Sequence, residues 1–390
     1  MTNRLVLSAA LYLGYYTALG AYMPFINLYY ERIGLSGIQI GVLAAIPVFI
    51  STTTVMVWGG LADRFGWHSR IMRINMLLCA VSILLLSTAG SFQAIIPFIA
   101  SYALFNSPLV PLLDSAALDS IQGSRYSYGQ VRVWGSIGWS ISTVGVGFII
   151  QRFAIQWLFY SYAAFMLVTF LISLRLPMHT AKLQTSLRTG LKNLVAYLPF
   201  VLFLVSVFFI SITLSAANAF LSIYLDEIGT NESSIGLAWA ISSLSEIPIM
   251  LFSAYIVRKV GSSGLLKIAF FAFIIRWFLL SLIRVPTLAL IVQVLHGITF
   301  GGYLIGSVTY INDRAAEGIR TTALAIFNLI SFGVGSILGS LLGGFVVEAG
   351  GTVWLFRILS LVAVAGFSVF LLSQHKSFLK VPVTGTGPGN

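Results

Sequence analysis

Twelve apolar runs, each long enough to cross a lipid bilayer, follow one another along the 390-residue chain. A hydrocarbon core about 30 Å thick needs roughly 20 apolar residues per helix. The runs lie at 5–30, 38–60, 71–90, 94–117, 131–151, 155–175, 196–225, 234–256, 267–284, 287–309, 322–347 and 353–373. They are continuously apolar rather than alternating, which argues against a membrane β-barrel. The pattern predicts an all-α membrane protein with twelve transmembrane helices in two six-helix halves. Composition agrees: 58% of residues are apolar and 8% charged, against roughly 25% charged in a soluble domain. A soluble, disordered, collagen-like or disulfide-framework class is excluded. The one cysteine, Cys79, cannot form an internal disulfide. The first run is too long for a signal-peptide core and lacks a small-residue cleavage site.

Charge placement orients the chain. With a cytoplasmic N terminus, 16 of the 22 Lys and Arg fall on the cytoplasmic side. Four (Arg32, Arg152, Arg284, Arg357) fall opposite, and two (Arg132, Arg276) fall inside the membrane. This bias predicts both termini in the cytoplasm of a multi-pass inner-membrane protein. It also accounts for the net charge of +11 without a nucleic-acid partner.

The longest polar segment, about Pro177 to Asn193, divides the chain. The expected units are a six-helix bundle at 1–176, a cytoplasmic loop at 177–195, a second bundle at 196–380 and a disordered Pro/Gly-rich tail at 381–390. An internal repeat supports the division. GGLADRFGWHSR (59–70) follows span 2, and AYIVRKVGSSG (254–264) follows span 8. Gly66 and Gly261 are 195 residues apart, and Arg258 stands where Asp63 stood. Two repeated halves are a transporter architecture with its site at the midplane between them.

Five ionisable residues lie where the bilayer core should be: Asp114, Arg132, Glu246, Arg276 and His296. Each costs roughly 2.5–3.5 kcal/mol on insertion scales and so marks a functional position or a clip between helices. Asp114 and Arg132 sit on consecutive helices and are expected to meet. Glu246, Arg276 and His296 lie on three consecutive helices of the other half. Asn27 and Asn218 are polar at similar depth and could bond either a solute or another helix. Tyr15, Tyr16, Tyr22 and Phe25 could line a cavity. Span 5 carries Gly135, Gly138, Gly145 and Gly147, and span 11 carries Gly335, Gly339 and Gly343; such residues suit sliding or close packing.

The loop G-x-L-A-D-R-x-G resembles the signature loop of the major facilitator superfamily. The resemblance implies a latch at Asp63, Arg64 and Gly66. LDSAALDSIQGSRYSYGQVRVWGSIGW (113–139) resembles the span 4–5 region of lactose permease and of the 3-phenylpropionate and nucleoside permeases. Asp114, Arg132 and Trp139 match the acid, arginine and tryptophan of the lactose permease sugar site, with Asp in place of Glu. SEIPIM (245–250), IRW (275–277) and LHGITFGGY (295–303) resemble spans 8 to 10 of the phenylpropionate branch. Glu246, Arg276 and His296 match the residues lactose permease uses for proton coupling. One departure stands out: Thr299 occupies the place of that permease's proton-carrying glutamate, so Glu246 or Asp114 must carry the proton.

The expected function is a secondary active transporter working by alternating access. It is expected to move a small organic solute with protons, a sugar or glycoside first. An aromatic carboxylate such as phenylpropionate, a nucleoside, or export by proton antiport are the alternatives. HExxH, GxSxG, P-loop and Cys/His metal motifs are absent from the sequence. No enzyme chemistry, cofactor or metal is expected, and the chain is expected to act as a monomer.

Overall fold

A computed structural model describes residues 3–124, 126–175, 198–315 and 319–374. The expected central loop, the tail and six of the basic residues counted for orientation (Arg125, Lys182, Arg188, Lys192, Lys376, Lys380) lie outside these. Among the described residues ten helices are long and apolar enough to cross a membrane; the shorter apolar helix Trp157–Ser173 and a break at Gly351 in the longest run bring the total to twelve. They are α1 (Arg4–Arg32), α2 (Gly37–Phe65), α3 (His68–Leu86), α4 (Phe92–Ile121), α5 (Tyr128–Arg152), α6 (Trp157–Ser173) and α7 (Leu198–Glu227). Next come α8 (232–260), α9 (262–282), α10 (Pro286–Arg314), α11 (320–350) and α12 (352–373). Two boundaries are set by left-handed glycines inside long helical runs: Gly261 (φ 73°) ends α8 and Gly351 (φ 78°) separates α11 from α12. Only glycine adopts such φ without strain.

The repeat extends beyond the signature loop. Gly34 (φ 84°) and Gly229 (φ 85°) are also 195 residues apart, as are Gly66 (φ 65°) and Gly261. Ser36 and Asn231 keep the same offset and cap α2 and α8; each side chain accepts from the backbone N–H three residues on. Such caps satisfy donors that a helix start leaves unpaired. The segments read as loops after spans 2 and 8 are therefore mostly helix ends; the turns themselves are single glycines.

The buried apolar core has a portion in each half. That of the first half is rich in tyrosine, including Tyr22, Tyr102 and Tyr162 in mutual ring contact. That of the second is built on phenylalanine, with Phe203 and Phe270 both packed on Phe370. Large apolar side chains cover the outside: Met56, Ile141 and Leu251 are 71%, 64% and 75% exposed. Such a surface is stable in lipid and not in water.

The halves meet along α5–α8 and α2–α11, each pair bringing opposite halves together. Backbones touch there because glycines remove the side chain. A Cβ on Gly236 would strike the Thr143 carbonyl, and one on Gly41 would lie 2.5 Å from the Ser340 carbonyl. Gly147 packs across the halves on Glu232. In contrast, Gly135 and Gly138 pack on α1, and the Gly335–Gly339–Gly343 stripe packs on α7, all within one half. Gly145 meets open space.

Hydrogen bonds that join the halves cluster at one end. Arg32 donates to Asp226 (2.7 Å) and Glu232 (2.8 Å), and the Gly37 N–H donates to Glu348 (2.6 Å). Slightly deeper, Ser222 donates to the Pro24 carbonyl (2.5 Å) and Asn27 to the Ala219 carbonyl (2.9 Å). We call this the closed end. Asp63 and Arg64 lie at the other, open end, and neither forms an ion pair across the halves among the described residues. Asp63 accepts from His68 of its own half (3.0 Å), and Arg64 lies over the Phe65 ring. Gly66 serves as the left-handed stop of α2. The expected cross-half ion pair of Asp63 and Arg64 is thus not formed among the described residues.

Candidate functional site

The α5–α8 crossing holds a regular antiparallel register. Gly147 lies against Ser233, Thr143 against Gly236 and Trp139 against Trp239. Trp139 and Trp239 meet edge to face, with ring centroids 6.3 Å apart. Continuing the same register by two turns brings Arg132 opposite Glu246. Residues seven apart share a helix face, so Arg132 lies below Trp139 as Glu246 lies below Trp239. No ion pair joins Arg132 to Glu246 among the described residues. Both keep partial exposure, as does Asp114. Arg132 and Glu246 thus lie on the facing sides of the α5–α8 crossing, two turns from the tryptophan pair.

In the first half, the structure separates two residues that were expected to meet. Asp114, on the second segment of α4, accepts from the hydroxyls of Tyr12 and Tyr128. Arg132 instead lies over the Tyr16 ring at 4.3 Å and the Tyr12 ring at 5.7 Å. It has no carboxylate partner among the described residues. The physical reason is local. Gly135, one turn along α5, leaves space that both the Arg132 guanidinium and the Tyr16 ring occupy; a Cβ there would sit 2.8 Å from each. The rings face a partly exposed cation, while tyrosine hydroxyls satisfy the carboxylate. Of the four aromatics considered as cavity-lining, only Tyr16 is placed so. Tyr15 is buried and bonded to Asn106, and Tyr22 and Phe25 are buried in the core.

In the second half, the three expected groups form one chain. His296 Nε2 lies 3.2 Å from Glu246 Oε1, and His296 Nδ1 lies 2.7 Å from an Arg276 nitrogen. Arg276 also donates to Gln293 Oε1 (2.7 Å) and Thr299 Oγ1 (3.2 Å). An arginine can only donate, so His296 Nδ1 accepts. The ring proton is then on Nε2, the nitrogen that lies 3.2 Å from the Glu246 carboxylate. Arg276 is 2% and His296 8% exposed, whereas the Glu246 side chain is 17% exposed. The carboxylate is thus the most exposed of the three, with side-chain exposure of 17% against 10% for His296. Its position depends on Gly297, where a Cβ would collide with the Ser245 carbonyl. That close approach sets α10 against α8 at the start of a π-helical turn, Gly297–Gly301. Such turns recur at functional sites.

Asn27, weighed as a solute ligand, is instead committed to the closed-end contact with Ala219. Asn218 is exposed, one turn before Ser222 on α7. Sequence reasoning passed over Gln293, Trp239 and the tyrosines on Asp114. Gln293 was legible as the i−3 neighbour of His296. Trp239 was legible by its seven-residue spacing from Glu246, which repeats the spacing of Arg132 and Trp139.

Paired half-bundles with a charged gap between them define a secondary transporter of the major facilitator type. The chain belongs to the MFS_1 like family, whose model matches residues 5–358. It is 27% identical to the maltose permease of Geobacillus stearothermophilus, over 91% of both chains. It is 26% identical to a probable 3-phenylpropionic acid transporter of Escherichia coli K12, over 90% of this chain and 94% of that one. The crystal structure of the nucleoside transporter NupG superposes with a TM-score of 0.86 at 18% identity, covering 96% of this chain and all of that one. The protein is a multi-pass membrane transporter and not an enzyme.

Proposed function

We propose that the protein imports a neutral sugar or glycoside together with a proton, by alternating access. The observation that carries this reading is the Glu246–His296–Arg276 chain. Its most exposed member is the carboxylate, with its positive support buried behind it. A proton on Glu246 leaves the buried hydrogen bonds intact and removes the charge facing the solute. Asp114, Arg132 and Trp139 bind the solute in this reading. A carboxylate and a guanidinium both bond hydroxyls, and an indole face packs on the apolar face of a pyranose. Of the ionisable groups of Asp114, Arg132 and Glu246, two are carboxylates and one is a guanidinium, which suits a neutral solute. The similarity to a maltose permease supports the same class. With Asp63 and Arg64 on the cytoplasmic side, as the charge bias implies, the end without cross-half bonds among the described residues faces the cytoplasm in this reading.

A second reading rests on one observation. Arg132 lacks a carboxylate partner among the described residues, so it could receive the anion of an aromatic carboxylate. The test is reconstitution in proteoliposomes. Added maltose should drive proton entry in the wild type, and Glu246→Gln should abolish it while maltose counterflow persists. Proton entry driven by phenylpropionate alone, with maltose inert, would establish the second reading and remove the first.

A further inference from the structure

The Glu246–His296–Arg276 chain continues into a closed circuit. Arg276 donates to Gln293 Oε1 at 2.7 Å, and the same oxygen accepts from Ser242 Oγ at 3.4 Å. Ser242 sits one turn before Glu246 on α8. Gln293 is fully buried. Its orientation is determined: Nε2 donates to the Ala289 carbonyl at 3.0 Å, and an arginine can only donate, so Oε1 faces Arg276. The local backbone places it there. The N–H groups of Gln293, Val294 and His296 bond three residues back, to the carbonyls of Leu290, Ile291 and Gln293. Such tight turns eclipse side chains three apart, so Gln293 and His296 meet Arg276 from the same side of α10.

One imidazole ring separates the Arg276 guanidinium from the Glu246 carboxylate. Guanidinium and carboxylate readily form a direct two-pronged pair, yet these two do not pair among the described residues. Gln293 holds one guanidinium nitrogen, and His296 and Thr299 share another. We propose that Gln293 is a positioning residue, a neutral anchor that keeps Arg276 one ring away from Glu246 and so leaves the carboxylate free to take up and release the transported proton. A carboxylate touching a guanidinium resists protonation more than one held at a distance. An acid at position 293 would anchor Arg276 too, but would offset its charge. The neutrality of the amide therefore matters as much as its reach. The charged or titratable groups that face Glu246 are His296 on α10, Arg276 on α9 and, across the halves, Arg132 on α5. Other charges on the packed elements sit at helix ends, as Asp226 and Glu232 do at the closed end and Arg258, Lys259 and Asp313 at the open end. The inference rests on the proton reading above.

The experiment is the pH profile of solute-driven proton entry in proteoliposomes of the full-length protein, with maltose and phenylpropionate each tried as driver. Uptake of the proton limits entry on the alkaline side of that profile. Gln293→Leu frees Arg276 to reach Glu246, so the alkaline limb should move to lower pH by about one pH unit. Gln293→Glu keeps the anchor and offsets the arginine's charge, so the limb should move to higher pH by about one pH unit. A merely structural role would lower the rate without moving the limb in opposite directions. Should Gln293→Leu fail to fold, Gln293→Met replaces it, unbranched and without the amide, with the same shift expected. Limbs that stay in place, limbs that move the same way in both variants, or entry lost at every pH overturn the anchor while the wild-type proton entry stands. A wild type that moves no protons with either solute overturns the proton reading itself and the anchor with it.

Discussion

Removing Arg32 should tilt the protein toward opening at its closed end. Arg32 donates to Asp226 at 2.7 Å and to Glu232 at 2.8 Å across the two halves. The three side chains are 31%, 32% and 18% exposed, so solvent screens both pairs. Each is then worth about 0.5–1 kcal/mol, and the two together about 1–2 kcal/mol. Arg32→Ala should therefore raise the ratio of closed-end-open to closed-end-shut molecules by about 5- to 30-fold. Spin labels can report this distance. Cysteines at Phe153 and Val285, on opposite halves and 66% and 52% exposed, would be placed in a Cys79→Ser background. Double electron–electron resonance should show a longer distance gaining population in Arg32→Ala. Salt at 1 M, which shrinks the screening length to about 3 Å, should move the unsubstituted protein the same way and leave Arg32→Ala unchanged. Identical distance distributions with and without Arg32 would refute the argument that ion pairs help hold this end.

Three further outcomes follow from the packing. Gly236→Val places a side chain into the Thr143 carbonyl; overpacking costs about 1–3 kcal/mol, and the same spin labels should report a closed end forced apart. Gly297→Val pushes α10 from α8 at Ser245, which should abolish solute-driven proton uptake while solute still binds in calorimetry. Asp114→Asn should lower sugar affinity about tenfold or more, since hydrogen bonds to a charged group are worth about 1.5–3 kcal/mol; normal transport by this variant would remove Asp114 from the site.

What the sequence disclosed and what it hid follow a physical line. Glu246, Arg276 and His296 were legible because each is a charged or polar group inside an apolar run, and such groups must find one another. Asp114 and Arg132 were equally visible, but their partners were not. Whether an arginine meets a carboxylate or an aromatic face depends on a missing Cβ at Gly135, which no pattern of charges encodes. Asp226, Glu232 and Glu348 were overlooked for a related reason. Charges at helix ends carry no insertion cost, so nothing in composition separates a cross-half partner from a solvated loop residue. The helix count agrees once Gly351 divides the longest apolar run and the shorter α6 is included. The turns after α2 and α8 were narrower than read, since the polar residues before Gly66 and Gly261 extend the helices.

Because Arg276 fills the acceptor lone pair of His296, the imidazole works as a fixed strut: electron pair at one tip, proton at the other. Any side chain of similar reach with an acceptor at one tip and a donor at the other, such as the carboxamide of glutamine, should serve as the same strut. Solute-driven proton entry should then survive His296→Gln.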